Sequence, residues 1–430
     1  MMPLLINLFK NIAIKKMVIF AQKMIDATTP LNVIFFSLFM FFECALASQP
    51  LPCFPFSPLV LKQLKDNGVT LSHHSQVDYG KLKVSATCYL EAWPRNTTQI
   101  AKLVKIAYQH NIPIRTQGAR HSQNGISLPM QHELLIHTTT LNHIRFSQDG
   151  SLVVESGVPV ALINPIIQRY SKLFIPIFNG GGIGPTVGGY ISAGGISPAS
   201  EEYGGFWEHV RAITIVTGYG NLLHIRNHHP LFLWLFGAMG QLGIITEAEL
   251  EVIPLDLLNP ITSFTTSLLP ENFATTVNMN SYNKKQNDPL YWFNLFVTAD
   301  QLAQAKHRLQ QLQNRYPDAL SYIPLYQWQV SYIDLMPPLV FNQHRSFIAI
   351  GIWGKKGNRM HSQDQFNKLS EAFSQLVNET HYRRYIQSES SSSPKLYKQY
   401  FDTKTYSEFR KIKLSLDPKL LFNQNSFFEP

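Results

Sequence analysis

The chain has 430 residues, a formal net charge of +9, 45% hydrophobic and 15% charged residues. That length exceeds what one hydrophobic core serves, so two domains or one elaborated domain are expected, and the apolar content excludes a largely disordered chain. The basic residues form no Lys/Arg cluster, which argues against a nucleic-acid partner.

In chain order, residues 1–47 stand apart. Lys10, Lys15, Lys16 and Lys23 precede an apolar run at 33–42, and Ala45-Leu46-Ala47 follows it. Basic, then apolar, then small-x-small is the pattern of a secretory signal peptide. The run is short for a bilayer span. Cleavage after Ala47 is therefore expected, giving a secreted or periplasmic protein with no stable membrane span; a retained leader would instead make a membrane-surface binding module. Translation starting at Met17 or Met24 would shorten the basic stretch. Cleavage removes Cys44 and leaves Cys53 and Cys88, which either bridge in an oxidising compartment or are simply buried.

From Pro94 strand and helix signals alternate. Residues 97–110 read as a capped amphipathic helix with Ile100, Leu103, Val104 and Ala107 on one face. A strand at 112–116 follows, then strands at 133–138 and 151–155 and a helix at 160–170. Residues 178–195 are too rich in glycine for a packed strand or helix, and a bound ligand would justify them. Residues 211–217, the turn Gly218-Tyr219-Gly220-Asn221 and residues 222–225 read as a hairpin. A last strand runs from Gly243 to about Pro254. Beyond Pro260 the units lengthen: a strand at 291–298, a helix at 299–316 with Leu302, Ala305, Leu309 and Leu312 on one face, and a strand at 345–353. Residues 388–394 form a serine-rich loop, and 396–425 are amphipathic again. The expected class is α+β, with domains at 48–257 and 258–394 and a C-terminal return at 395–430.

Two glycine-bearing segments carry the chemistry. Gly118-Ala119-Arg120-His121-Ser122 follows a strand and can wrap a diphosphate while offering an imidazole. The cluster Gly180-Gly181-Gly182-Ile183-Gly184-Pro185-Thr186-Val187-Gly188-Gly189 is not a Rossmann fingerprint, because the third glycine position falls on Pro185 or Val187; no G-K-[ST] of a Walker loop occurs.

Together these segments resemble the PCMH-type flavin domain of the vanillyl-alcohol oxidase superfamily, most like cytokinin dehydrogenases and sugar-lactone oxidases. The resemblance covers residues 87–255, with a domain core at about 82–255, and again 396–428. It implies a two-part FAD-binding domain with an inserted α+β substrate domain. Arg115-Thr116-Gln117-Gly118-Ala119-Arg120-His121-Ser122-Gln123-Asn124-Gly125 is similar to the pyrophosphate loop whose histidine is joined covalently to the flavin. Thr186-Val187-Gly188-Gly189-Tyr190-Ile191-Ser192-Ala193-Gly194-Gly195-Ile196-Ser197 resembles the second cofactor loop. Phe236-Gly237-Ala238-Met239-Gly240-Gln241-Leu242-Gly243-Ile244-Ile245-Thr246 resembles the end of the domain, and Asp417-Pro418-Lys419-Leu420-Leu421-Phe422-Asn423 the tail that returns beneath the ring.

The implied cofactor residues are Gly118, Ala119, Arg120, His121 and Ser122, then Thr186, Gly189, Ser192 and Ile196, then Ile245 and Asn423. Consecutive backbone N–H groups would make an anion nest, with Ser122, Thr186 and Ser192 as hydroxyl donors. The resemblance implies FAD, joined through His121 or held without a bond.

Two departures bear on activity. Arg120 stands where the family has glycine before the histidine, and Asn179-Gly180-Gly181 where cytokinin dehydrogenases have a Trp-x-Asp whose aspartate takes the amine proton. No cysteine near the loop can add a second flavin bond. The expectation is an FAD-dependent oxidoreductase that moves hydride from a C–H next to an alcohol or amine of a small molecule to flavin N5. Its electron acceptor is O2 or a quinone-like compound, and no catalytic base is named. The alternative within the family is a flavin-binding protein that has lost turnover.

Other polar residues read as structural. His73-His74 and His228-His229 are adjacent pairs, poorly spaced for one metal, and no metal is expected. Glu201-Glu202-Tyr203 flanks the cavity or is solvated, and Tyr332 and His344 belong to the second domain. Asn96 and Asn378 are glycosylation acceptors in a eukaryotic secretory host only.

Overall fold

The computed structural model describes residues 56–79, 81, 83–147, 150–177, 184–197, 200–255, 274–276, 290–317, 325–331, 346–355, 362–380, 382–385, 388 and 403–424. All lie in the unit Phe56–Pro430. The expected leader, Cys53, Asn179-Gly180-Gly181, Tyr332, His344 and most of the serine-rich loop fall outside the described residues. No helix among the described residues is long and apolar enough to cross a membrane. Cys88 is disulfide-bonded.

The first sheet has four strands, and two helices belong to the same stretch of the chain. Helix α1 (Pro58–Lys65) leads into β1 (Val69–Ser72), which pairs antiparallel with β2 (Tyr89–Ala92). Helix α2 (Thr97–His110) forms because Asn96 accepts a hydrogen bond from Gln99 N at its start and Asn111 takes the left-handed conformation (φ 52°) at its end. Its apolar face, with Ile100, Leu103, Val104 and Ala107, is buried. Asn96 thus caps a helix, and Asn378 lies within one. The chain then forms β3 (Ile114–Gln117) and β4 (Leu134–His137), and the order β1-β2-β4-β3 makes β4 parallel to both of its neighbours.

The second sheet is antiparallel, in the order β12-β5-β6-β10-β8-β9. Its strands are β5 (His143–Phe146), β6 (Leu152–Glu155), β8 (Val210–Val216), β9 (Leu222–Arg226), β10 (Ile244–Leu250) and β12 (Ala274–Thr276). The register of β10 on β8 shifts between Ile245 and Glu247. Helix α3 (Val160–Ile167) is shorter than its sequence pattern suggests; Pro165 sits inside it, and tight turns to Ser171 follow.

The glycine-dense segment departs from expectation. Instead of irregular chain throughout, it contains helix α4 (Val187–Ala193). Thr186 caps it by accepting from Gly189 N, and Gly188 N donates to Ser156 O, so tertiary contacts outweigh poor helix propensity. Helix α5 (Ser200–Tyr203) follows.

A third sheet, β14-β15-β13-β16, is also antiparallel. It comprises β13 (Leu290–Val297), β14 (Leu325–Ser331), β15 (Ser346–Lys355) and β16 (Arg383–Arg384). Alternation sorts β13 by face. Phe293, Leu295 and Val297 join Leu309 of α6 (Leu302–Arg315) and Phe366, Leu369 and Phe373 of α7 (Ser362–Thr380) in one core, whereas Phe296 joins the larger core of the second sheet. Helix α8 (Thr403–Leu416) then brings the chain back: Phe422 bridges to Ile114, extending the first sheet beyond β3. The described residues thus form a mixed α+β architecture.

Candidate functional site

Strands β3 and β4 run parallel, and at the end of β3 the chain enters the loop 118–129. This loop has no ladder of its own, so side chains hold it. Arg115, buried in β3, makes a bidentate ion pair with Glu133 (2.9 and 2.7 Å) and donates to Ile126 O (3.0 Å) and to Gln424 O of the tail (3.3 Å). Gln117 Nε2 donates to Ser127 O (2.8 Å).

Thr186 forms the facing wall. A Cβ on Gly118 would collide with Thr186 Oγ1, so glycine is what lets the two loops meet. Val187 N donates to Val158 O and Val160 N to Pro185 O, which fixes the start of α4 against residues 158–160.

The third wall is the start of β10, with residues 239–240 before it. The tail supplies the last part. Lys413, buried in α8, donates to Asp417 Oδ2 (2.7 Å), Gln241 O (2.7 Å) and Phe422 O (3.2 Å). Burial pulls the Lys413 ammonium below the usual lysine range, and the adjacent Asp417 carboxylate opposes that shift. Asp417 in turn accepts from Leu421 N and Phe422 N. Asn423, at φ 50°, is thereby set beside Gly240, its Nδ2 donating to Met239 O (2.8 Å).

These walls enclose a cleft with about 720 Å³ of space, its open mouth included. Gly118, Ala119, Arg120, His121, Ser122, Thr186, Gly189, Ser192, Ile245 and Asn423 all line it. Ile196 is packed instead in the hydrophobic core beyond α4. One expected role changes: Ser192 Oγ donates to Gly188 O (2.7 Å), so toward the cleft it is an acceptor. Thr186 Oγ1 accepts from Gly189 N, which leaves its proton to give.

Sequence reasoning did not single out Thr116, Ser127, Thr138, Pro185 or Met239, which also line the cleft. Ser127 Oγ and Asn423 Oδ1 are buried there without a hydrogen-bond partner among the described residues. A buried acceptor left unpaired is costly, which points to a ligand that donates to it. No signal in the sequence marks Ser127.

A second, wider cleft opens on the other side of residues 118–120, lined by Glu91, Trp93, Arg95 and His137 among others. His137 Nε2 donates to Glu91 Oε1 at 2.6 Å, and Trp93 stacks on the imidazole at 3.5 Å. Burial holds the His137 imidazole below its usual value, against the pull of Glu91; the hydrogen bond from His137 holds the Glu91 carboxyl low.

The remaining candidates lie outside the first cleft, with His74 in the lining of the second. His74 pairs with Ser72 Oγ, His229 Nδ1 accepts from Leu231 N, and residues 201–203 belong to α5. Among the described residues no group of three or more His, Cys, Asp or Glu could hold a metal ion.

Comparison with known proteins falls on these elements. Residues 90–226, which span most of β2, the loop at 118–129, α4 and strands β3 to β6, β8 and β9, match an FAD binding domain. A stretch of 195 residues is 29% identical to a D-lactate dehydrogenase of Anaerostipes hadrus, covering 43% of this chain and 39% of that protein. Another, of 171 residues, is 26% identical to the FAD-linked oxidoreductase dpmaF of Metarhizium anisopliae (38% and 32%). A third, of 202 residues, is 25% identical to cytokinin dehydrogenase 5 of Arabidopsis thaliana (41% and 34%). The chain spans only about two fifths or less of the length of these relatives.

Proposed function

We propose that this flavoprotein, which carries a PCMH-type FAD binding domain over residues 90–226, is an oxidoreductase that takes hydride from a C–H next to an alcohol or amine of a small molecule. One observation carries the reading. A single cleft gathers residues 118–122, Thr186, Gly189, Ser192, Ile245 and Asn423 from distant parts of the chain.

The lining fits FAD. The close approach of Gly118 to Thr186 leaves backbone on both walls for a diphosphate, and Thr186 Oγ1 has a proton to donate. Asn423 Oδ1, Ser127 Oγ and Ser192 Oγ would accept from N–H or O–H groups of the cofactor. When bound, the flavin accepts the hydride, which no side chain can do. His121 is the residue through which the flavin would be covalently joined. The layer of β13 to β16 with α6 and α7, inserted between β12 and α8, serves as the substrate domain. The names of the relatives make D-lactate and other 2-hydroxy acids the first substrates to try.

A secreted or periplasmic location belongs to the same proposal. The basic-apolar-small leader and the disulfide at Cys88 support it, since disulfides persist in oxidising compartments. A mature N-terminus at Ser48 is the expected sequencing result; export with the leader intact would defeat that part.

Purified protein should be yellow, and its flavin should stay with the pellet on acid precipitation. His121→Ala should release the flavin to the supernatant. Anaerobic bleaching by a panel of 2-hydroxy acids, alcohols, lactones, sugars and amines identifies the substrate class, and reoxidation by O2 or a quinone identifies the acceptor. A folded, colourless chain that takes up no FAD sinks the reading.

A further inference from the structure

The loop bearing Arg120 and His121 is met by a short hairpin in which residues 76–78, leading into Tyr79, pair with residues 83–85. Val77 bridges antiparallel to Val84, Ser85 N donates to Gln76 O (2.8 Å), and buried Asp78 accepts from Lys83 N (3.3 Å).

The hairpin meets the loop at both ends. At one end Arg120 stands at φ 59°, the left-handed region that an L-residue keeps only when its surroundings enforce it. The enforcing contacts come from the hairpin: Tyr79 N donates to Arg120 O (2.9 Å), and Arg120 Nη1 donates to Val77 O (3.3 Å). The Tyr79 ring stacks on the His121 imidazole, centroids 4.0 Å apart and planes 27° from parallel. At the other end Lys83 packs on the loop, its Cβ 3.1 Å from where a Cβ on Gly125 would stand.

We propose that this hairpin is a strap that sets the backbone of the Arg120–His121 pair, and that Tyr79 is a positioning residue for FAD acting through that pair. The proposal rests on the assignment of the cleft to FAD. Both residues line the cleft, and release of φ at Arg120 would turn the following peptide and the imidazole away from their present directions. The strap thus does with contacts what a glycine at position 120 would do without them.

The test uses the full chain produced under riboflavin limitation, titrated with 8-demethyl-FAD, which lacks the carbon that would be joined to His121 and so binds reversibly, and followed by quenching of flavin fluorescence. Tyr79→Ala should raise the Kd roughly tenfold, while Tyr79→Phe, which keeps the ring, should stay near wild type. In an Arg120→Gly background the loss from Tyr79→Ala should shrink to roughly threefold or less, because glycine adopts this φ unaided. Without FAD, trypsin should cut after Arg120 faster in Tyr79→Ala than in Tyr79→Phe or wild type. Unchanged trypsin cutting, or an FAD loss that is equal in the Arg120→Gly background, overturns the strap. A wild-type chain that takes up no FAD overturns the cofactor assignment, and the proposal with it.

Discussion

Around the cleft, the joints between elements are charges and backbone groups. Arg115 reaches buried Glu133 and Ile126 and the half-buried Gln424 of the tail, and Lys413 reaches Asp417, Gln241 and Phe422, all three buried. In the sheet of β13 to β16 the joints are rings: Phe293 lies 5.0 Å from Phe373 and 5.9 Å from Phe366. A ladder already aligns that sheet, so its side chains chiefly fill volume, with Arg384 Nη1 donating to Ser374 Oγ (3.4 Å) as an added tie. The cleft is built from loops that no ladder aligns, and there directional partners are needed.

Four substitutions and conditions break or sharpen this contrast. The largest effect is expected for Arg115→Ala, which leaves Glu133 buried and alone: a loss of about 3–5 kcal/mol in urea unfolding, with loss of FAD uptake. Full FAD affinity in that variant would mean the loop holds itself. Phe293→Ala should cost about 3 kcal/mol of stability by opening a cavity, yet leave the FAD Kd of the folded protein unchanged. If its Kd rises as far as that of Arg115→Ala, the two regions are not separable in the way described.

Next comes Gly118→Ala, whose new methyl meets Thr186 Oγ1. We expect a loss of about 1–3 kcal/mol, with weaker FAD binding, and partial recovery when Thr186→Ala is added; no recovery would place the clash elsewhere.

The smallest effect is that of pH. His137 is held below the ordinary 6.5, so the unfolded chain takes the proton first. Its contribution is intact above 6.5 and is lost as pH falls toward the lower folded value. Glu91, also held low, adds stability that is present above 4.5 and lost as pH falls through its folded value. The Tm should therefore decline on acidification below pH 6.5, and less so in His137→Asn. A Tm that rises on acidification would reverse the sign.

What the sequence made legible follows the same divide. Helix α2 could be read because Ile100, Leu103, Val104 and Ala107 repeat with the helical period behind an Asn cap. Strands β8, β9 and β13 could be read from β-branched and aromatic runs with glycine turns between them. Helix α4 could not, since Gly188 and Gly189 argue against helix on propensity and the contacts that decide it come from Thr186 and Ser156. Of the motif positions named as cofactor residues, all but Ile196 line one cleft, and Ile196 is packed in the core. Nothing local revealed the hairpin at 76–85, the unpaired Ser127 hydroxyl or the left-handed Arg120. Arg120 depends on residues 77 and 79, some forty positions earlier.

The tail has a consequence for synthesis. Ile114 N donates to Leu421 O and Asn423 N donates to Ile114 O, so the edge of the first sheet and the last wall of the cleft come from residues translated some 300 positions after β3. During synthesis β3 has no partner on that edge until residues 421–423 have been made and have left the ribosome. Chains that stall before position 421 would therefore reach quality control with an open cleft.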